Sequence, residues 1–289
     1  MRYRVNHITR YSYAAEFASC HNQVHLIPRE SEHQHCLNSE IRVDPEPEVF
    51  DRHDDSFGNP VESFSIHTPS DKLTIESTFE VELFDRKGAT PLLMAQSWEQ
   101  VQTLLAGDAP PLEAVAFLFE SAYVSLTPAM LEFARPSFPP GRGVQDCARD
   151  LVTRIFKEFK FDPNATDVGT SVSEVLKKRR GVCQDFAHLM IGCLRSMGLS
   201  ARYVSGYLLT NPAPGKPRLV GADASHAWCS VWCPDLGWVD YDPTNNLSPC
   251  DRHITVAFGR DYGDVSPVRG VVLGGGKHRV RVSVDVSRL

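Results

Sequence analysis

A cysteine at the head of a helix is the residue of this chain best placed to act as a nucleophile. Cys183 lies in Gly181-Val182-Cys183-Gln184-Asp185-Phe186-Ala187-His188. Apolar residues then recur at Phe186, Leu189, Met190, Cys193, Leu194 and Met197, with the three- and four-residue offsets of a helix. Upstream, Ser171 and Glu174 fit a capping box for a shorter helix that ends in the basic turn Lys177 to Arg180 and stops at Gly181. The next helix therefore begins near Cys183. The first N–H groups of a helix lack intrahelical partners and its dipole end is positive, so a thiolate there is favoured over a thiol. The plainer reading is a small apolar core residue, the usual place of a free cysteine.

A thiol that attacks a carbonyl needs a base, and the base needs an acceptor to orient it. Residues 224–233 and 237–242 read as two strands of a hairpin divided by Pro234-Asp235-Leu236. Alternation puts His226, Trp228, Ser230 and Trp232 on one face and Cys229, Val231 and Cys233 on the other, while Trp238, Asp240 and Asp242 share a face of the partner strand. A histidine near the start of one strand and a carboxylate near the end of the next can then meet. Spacing alone leaves Asp240 and Asp242 both open for that role. The same alternation opposes a zinc site built from His226, Cys229, Cys233 and Cys250, because a regular strand turns the cysteines away from the histidine. His33, His35 and Cys36, even with Cys20 and His21, match no zinc spacing. No Gly-x-Ser-x-Gly elbow, His-Glu-x-x-His, Gly-x-Gly-x-x-Gly or phosphate loop occurs.

The elements that must carry these residues follow from the remaining pattern. Residues 1 to about 85 read as short strands, with alternation in Val61-Glu62-Ser63-Phe64-Ser65-Ile66 and again from Leu73 to Val81. This predicts an antiparallel β domain over 1–90. Residues 91–140 hold short helical segments, 97–105 and 112–119, in a proline-punctuated region too apolar to be a free linker. A longer helix spans about 143–160 with Cys147 in the core, and 201–209 reads as a buried strand. A polar, proline-rich loop covers 211–221, and Val280, Val282, Val284 and Val286 mark a last strand. His188 is expected on the helix surface or in packing.

The net charge of −6 gives no basic footprint for nucleic acid. No apolar run reaches membrane-spanning length, and the first residues lack the apolar core of a signal peptide. The reading is a cytoplasmic protein whose eight cysteines are thiols.

The blocks Gly181-Val182-Cys183-Gln184-Asp185-Phe186, His226-Ala227-Trp228 and Gly237-Trp238-Val239-Asp240-Tyr241-Asp242-Pro243-Thr244-Asn245 together resemble the core of the transglutaminase-like superfamily of papain-type cysteine enzymes. The chain as a whole is similar to bacterial members with an N-terminal β domain, a likeness that includes the opening 4–13 and the late 259–265. The resemblance implies an α+β fold, with an N-terminal antiparallel β domain over 1–90 and a transglutaminase-like core with a helical lead-in over 91–289. It implies Cys183 as nucleophile, His226 as base and then acid, and Asp242, in the Tyr-Asp-Pro-Thr block, as orienter. The implied reaction is acyl transfer on amide bonds through a thioester. Hydrolysis of a peptide or isopeptide bond is the first reading, transglutaminase cross-linking of glutaminyl substrates the second, and a non-catalytic binding module the third. Partners are then peptide or protein substrates, not nucleic acid or membrane. No cofactor is expected, and the absence of an Asp/Asn-rich calcium loop leaves no metal requirement.

Overall fold

The computed structural model describes residues 1–84, 96–209, 225–249 and 251–289. The alternation at the start of the chain does not break into short strands. It runs as one strand of 23 residues, β1 (Arg2–Val24). Four antiparallel strands fold around it: β2 (Gln34–Asp44), β3 (Val49–Asp54), β4 (Pro60–Ile66) and β5 (Ser70–Leu83), in the order β2-β5-β1-β4-β3.

The helical lead-in comprises α1 (Trp98–Leu105), α2 (Leu112–Val115), α3 (Pro128–Ala134) and α4 (Val144–Glu158). The helix expected over 112–119 keeps its form only to Val115. β6 (Lys160–Phe161), α5 (Val172–Lys178) and β7 (Arg180–Gly181) lead into α6 (Cys183–Ser196). Then come β8 (Ala201–Leu208), β9 (Ser225–Cys233), β10 (Gly237–Tyr241), β11 (His253–Gly259), β12 (Val268–Gly274) and β13 (His278–Arg288). The second sheet has the order β10-β9-β8-β11, all antiparallel. The result is an α+β fold, as the sequence reading has it.

The tail alternation does become a strand, and it belongs to the first sheet. β13 pairs with residues 3–13 of β1 and β12 with residues 17–24, on the side of β1 opposite β5 and β4. Both edges of β1 are thus hydrogen-bonded along most of their length, which satisfies its backbone and lets it run unbroken. The expected domain boundary at 90 lies outside the described residues, as do the loop at 211–221 and Cys250.

Helix α6 is buried all round rather than on one stripe: every residue from Asp185 to Arg195 is buried. β8 and β9 cover it on one side and α3, α4 and α5 on others. His188 is one of these buried residues; its Nε2 accepts the Tyr262 backbone N–H at 3.1 Å and its ring lies against Tyr123 and Tyr203. Arg195 is satisfied there by the carbonyls of Phe117, Phe119, Ala201 and Arg260.

The two sheets are joined along β11, whose outer edge would otherwise be open. Gln34 uses its carboxamide as a strand would, accepting the Thr255 N–H at 2.8 Å and donating to the Thr255 carbonyl at 2.7 Å. Asn59 does the same to Phe258, with both bonds at 2.9 Å. Among the described residues no helix is long and apolar enough to cross a membrane, and the seven described cysteines are all free thiols.

Candidate active site

The start of α6 is set by two local features. α5 ends on Arg179, which takes the left-handed conformation at φ 56°, so the stop comes two residues before the expected Gly181. Gly181 serves another purpose. The Asp185 carboxylate folds back over it to accept the Val182 N–H at 2.7 Å and the Thr166 hydroxyl at 2.6 Å. A Cβ on Gly181 would stand 2.5 Å from Asp185 Oδ2, so no larger residue fits without displacing the cap. Burial pushes the Asp185 pKa up, opposed by the hydrogen bonds from Thr166 and Val182. With Asp185 holding the turn, Cys183 is the first residue of the helix and half-buried.

β9 brings His226 to it. The strand pairs with β8 without a bulge from Ser225 to Val231 and with β10 to Cys233, so strict alternation holds. Cys229 and Cys233 are fully buried on the face opposite His226, so within the described residues the imagined zinc set is not assembled. Nor are His33, His35, Cys36, Cys20 and His21 brought together: β1 and β2 are separated by β5, and His35 pairs with Glu30 instead.

Asp240 and Asp242 have different fates. Asp240 stands opposite Ser230, four residues along β9 from His226, which is about 13 Å on an extended strand. Asp242 lies just past β10, bridged to Leu247, and its Oδ2 accepts His226 Nε2–H at 2.8 Å. Asp242 Oδ1 accepts the backbone N–H groups of Thr244 (2.9 Å) and Asn245 (3.2 Å), an Asx-type turn that the Asp-Pro-Thr-Asn run could have signalled. Asn245 Nδ2 adds a donor to Oδ2 at 2.7 Å.

His226 is hydrogen-bonded to Asp242 and lines the same cleft as Cys183. Since Nε2 takes Asp242, Nδ1 is the nitrogen left for the sulfur. Burial by itself would lower the His226 pKa, but the bonds and charges of Asp242 and Cys183 outweigh it and raise it to about 10. Burial of Asp242 acts the other way, and is outweighed by hydrogen bonds from His226, His253 and Asn245 that hold the carboxyl well below the usual range. An imidazole held by a buried carboxylate thus lines one cleft with a cysteine at a helix start.

One participant had no sequence signal. His253, at the start of β11, donates Nε2–H to the same Asp242 Oδ2 at 3.1 Å and is buried beside Trp228, edge-on at 5.2 Å. His226, Asp242 and His253 put three metal-capable atoms within 4.8 Å of one another. Each of these atoms is already engaged in the hydrogen bonds described, with one carboxylate oxygen shared between two imidazole N–H donors. A cleft of about 350 Å³ opens in front, lined by Phe161, Cys183, Leu208, Ser225, His226, Thr244 and Asn245.

Comparison with known proteins supports the same core. Residues 3–82 match the bacterial transglutaminase-like N-terminal region and residues 139–243 the transglutaminase-like superfamily. A protein of Mycobacterium tuberculosis without an assigned function is 41% identical over 99% of this chain and 92% of its own length. The chain belongs to the transglutaminase-like superfamily. A protein-glutamine gamma-glutamyltransferase of Pseudomonas aeruginosa is 36% identical over 34% of this chain and 16% of its own. In fold, a candidate cysteine protease of Cytophaga hutchinsonii superposes with a TM-score of 0.77 at 19% identity, covering 99% of this chain and 90% of that one. Membership in this transglutaminase-like family supports cysteine-based catalysis in general terms.

Proposed function

We propose that the protein is a cysteine-dependent acyl-transfer enzyme acting on amide bonds of peptides or proteins, with Cys183 as nucleophile, His226 as general base and acid, and Asp242 as orienter. The observation that carries this reading is the His226 ring held by the Asp242 carboxylate at 2.8 Å in the cleft that Cys183 also lines. Cys183 thiolate attacks the amide carbonyl carbon and the oxygen takes the negative charge. The Cys183 N–H, at the helix start and without an intrahelical partner, is the first donor to that oxyanion. His226 then gives its proton to the departing amine, which leaves a thioester on Cys183. An incoming water loses its proton to His226 and releases the acid; an incoming primary amine forms a new amide instead.

Hydrolysis is the preferred outcome. Phe161, Ser225 and Asn245 on the cleft wall are exposed, which gives water a route to the thioester. Cross-linking is the second reading, favoured by the short match to a protein-glutamine gamma-glutamyltransferase. Incubation with a glutaminyl peptide, with and without a primary amine, separates them. Release of ammonia with glutamate as the product, unaffected by the amine, supports hydrolysis; incorporation of the amine by mass supports transfer. Absence of both, together with no cleavage across a peptide library, contradicts the enzymatic reading.

A further inference from the structure

A second cavity, of about 740 Å³, lies away from the catalytic cleft and shares no lining residue with it. It forms where the turn after β3 meets α2 and the open face of the second sheet, and Phe57, Phe117, Trp238 and Phe258 make up its walls. These rings pack on one another: Phe117 is 5.6 Å from Phe57, 5.1 Å from Trp238 and 6.5 Å from Phe258 between centroids. Such a box ordinarily attracts a cation to its ring faces. Here the protein supplies the cation itself. The Arg202 guanidinium carbon lies 4.2 Å from the Trp238 centroid and 3.6 Å from that of Phe258.

Of the other three charges on the wall, two pair with each other and the third is hydrogen-bonded. Arg260 holds Asp264 through two bonds of 2.9 Å, and Glu113 accepts Trp232 Nε1–H at 3.0 Å. Arg202 differs. Among the described residues it has no ion pair within 4 Å and no hydrogen bond, and its Nε is sealed from solvent without a partner there. Burial lowers its pKa to about 9, with Asp240 and Glu113 opposing that shift and Arg29, which lies over the Phe258 ring, adding to it, so Arg202 is charged at neutral pH. Arg202 pairs with Ser230 on β9, four residues from His226, and the buried Val204 and Trp228 stand between the two sites.

We infer that this cavity is a binding site for a carboxylate carried on a flat apolar group, with the carboxylate on the free N–H edge of Arg202 and the apolar part among Phe57, Phe117 and Trp238. A planar guanidinium pairs with a carboxylate through parallel bonds, and an unpaired, half-buried cation gains most from such a partner. Two sources share this chemistry, a free aromatic acid and a peptide ending in an aromatic residue. The inference does not depend on the catalytic reading, because binding is measured without turnover.

The test is calorimetric titration of the full chain with phenylacetate, with phenylacetamide and with N-acetyl-alanyl-phenylalanine. The acid should bind about tenfold or more tightly than the amide. R202Q should lose that preference, R202K should keep part of it, and C183A should leave it unchanged. Tighter binding of the dipeptide than of phenylacetate identifies a peptide terminus as the natural ligand; equal or weaker binding identifies a free acid. Equal affinity for acid and amide in the unaltered protein, no binding of either acid up to about 10 mM, or a preference that survives R202Q overturns the inference. The acid and amide pair on the unaltered protein keeps the test decisive even where R202Q fails to fold.

Discussion

His226 and His253 donate to one and the same oxygen, Asp242 Oδ2, at 2.8 and 3.1 Å, from strands at two different positions in the sheet. A carboxylate that is fully buried needs donors to meet its charge, and the second histidine supplies one beside those of His226 and Asn245. His253 is thus a positioning residue that acts through Asp242. Removing its N–H concentrates the carboxylate's charge on His226 and raises the His226 pKa further. H253L should therefore lower kcat about tenfold with little change in KM, and move the alkaline limb of the pH–rate profile upward. H253Q, which can offer an N–H from nearly the same place, should restore both. A purely structural His253 would reduce the folded fraction and leave the limb in place.

His226 and Asp242 together set a window of stability. The folded His226 pKa, about 10, lies above its ordinary 6.5, so the folded state binds that proton more tightly than the unfolded chain does. Its contribution is full below about 6.5 and is lost as the pH rises through about 10. Asp242 is depressed below its ordinary 3.8, so its contribution is full above that value and lost as the pH falls below it. Denaturant midpoints should be highest between these limits. H226A should flatten the alkaline decline; an unchanged decline in H226A would remove His226 as its source.

Gly181 and Asp185 give a prediction about the helix start. G181A places a methyl group against Asp185 Oδ2 and should destabilise the protein by about 1–3 kcal/mol. D185A removes the acceptor of the Val182 N–H and should cost about 1–2 kcal/mol. The two changes act on one contact, so the double variant should lose less than their sum in urea unfolding. Full additivity would mean that the contact does not matter.

The carboxamides of Gln34 and Asn59 cover the edge of β11, the strand that carries His253. Q34A and N59A should each destabilise by about 1 kcal/mol or more, and hydrogen exchange at Thr255 and Phe258 should quicken. Unchanged exchange there would show that β11 does not rely on the first sheet.

What the sequence reveals here follows the range of the interactions. The helix at Cys183 and the hairpin with His226 are local patterns, legible from helical and strand periods. The choice of Asp242 over Asp240 rests on register, which the blocks imply and alternation does not decide. His253 and the return of β12 and β13 to β1 depend on pairings between distant segments, where no short-range period exists to read. The length of β1 is of the same kind, since partners from both ends of the chain sustain it. Gly181 has the sequence context of a helix stop, but its role is close approach by Asp185, a contact that only the folded turn creates.

Activation of Cys183 by His226 can be read from the rate of iodoacetamide modification near neutral pH, followed site by site by mass. Cys36 is the internal control, since it is also half-buried but its pKa is pushed up, first by burial. Cys183 should react ahead of Cys36 and the buried thiols, and H226A should slow Cys183 alone by about tenfold or more. Modification of Cys183 no faster than Cys36, or at the same rate in H226A, would contradict that activation.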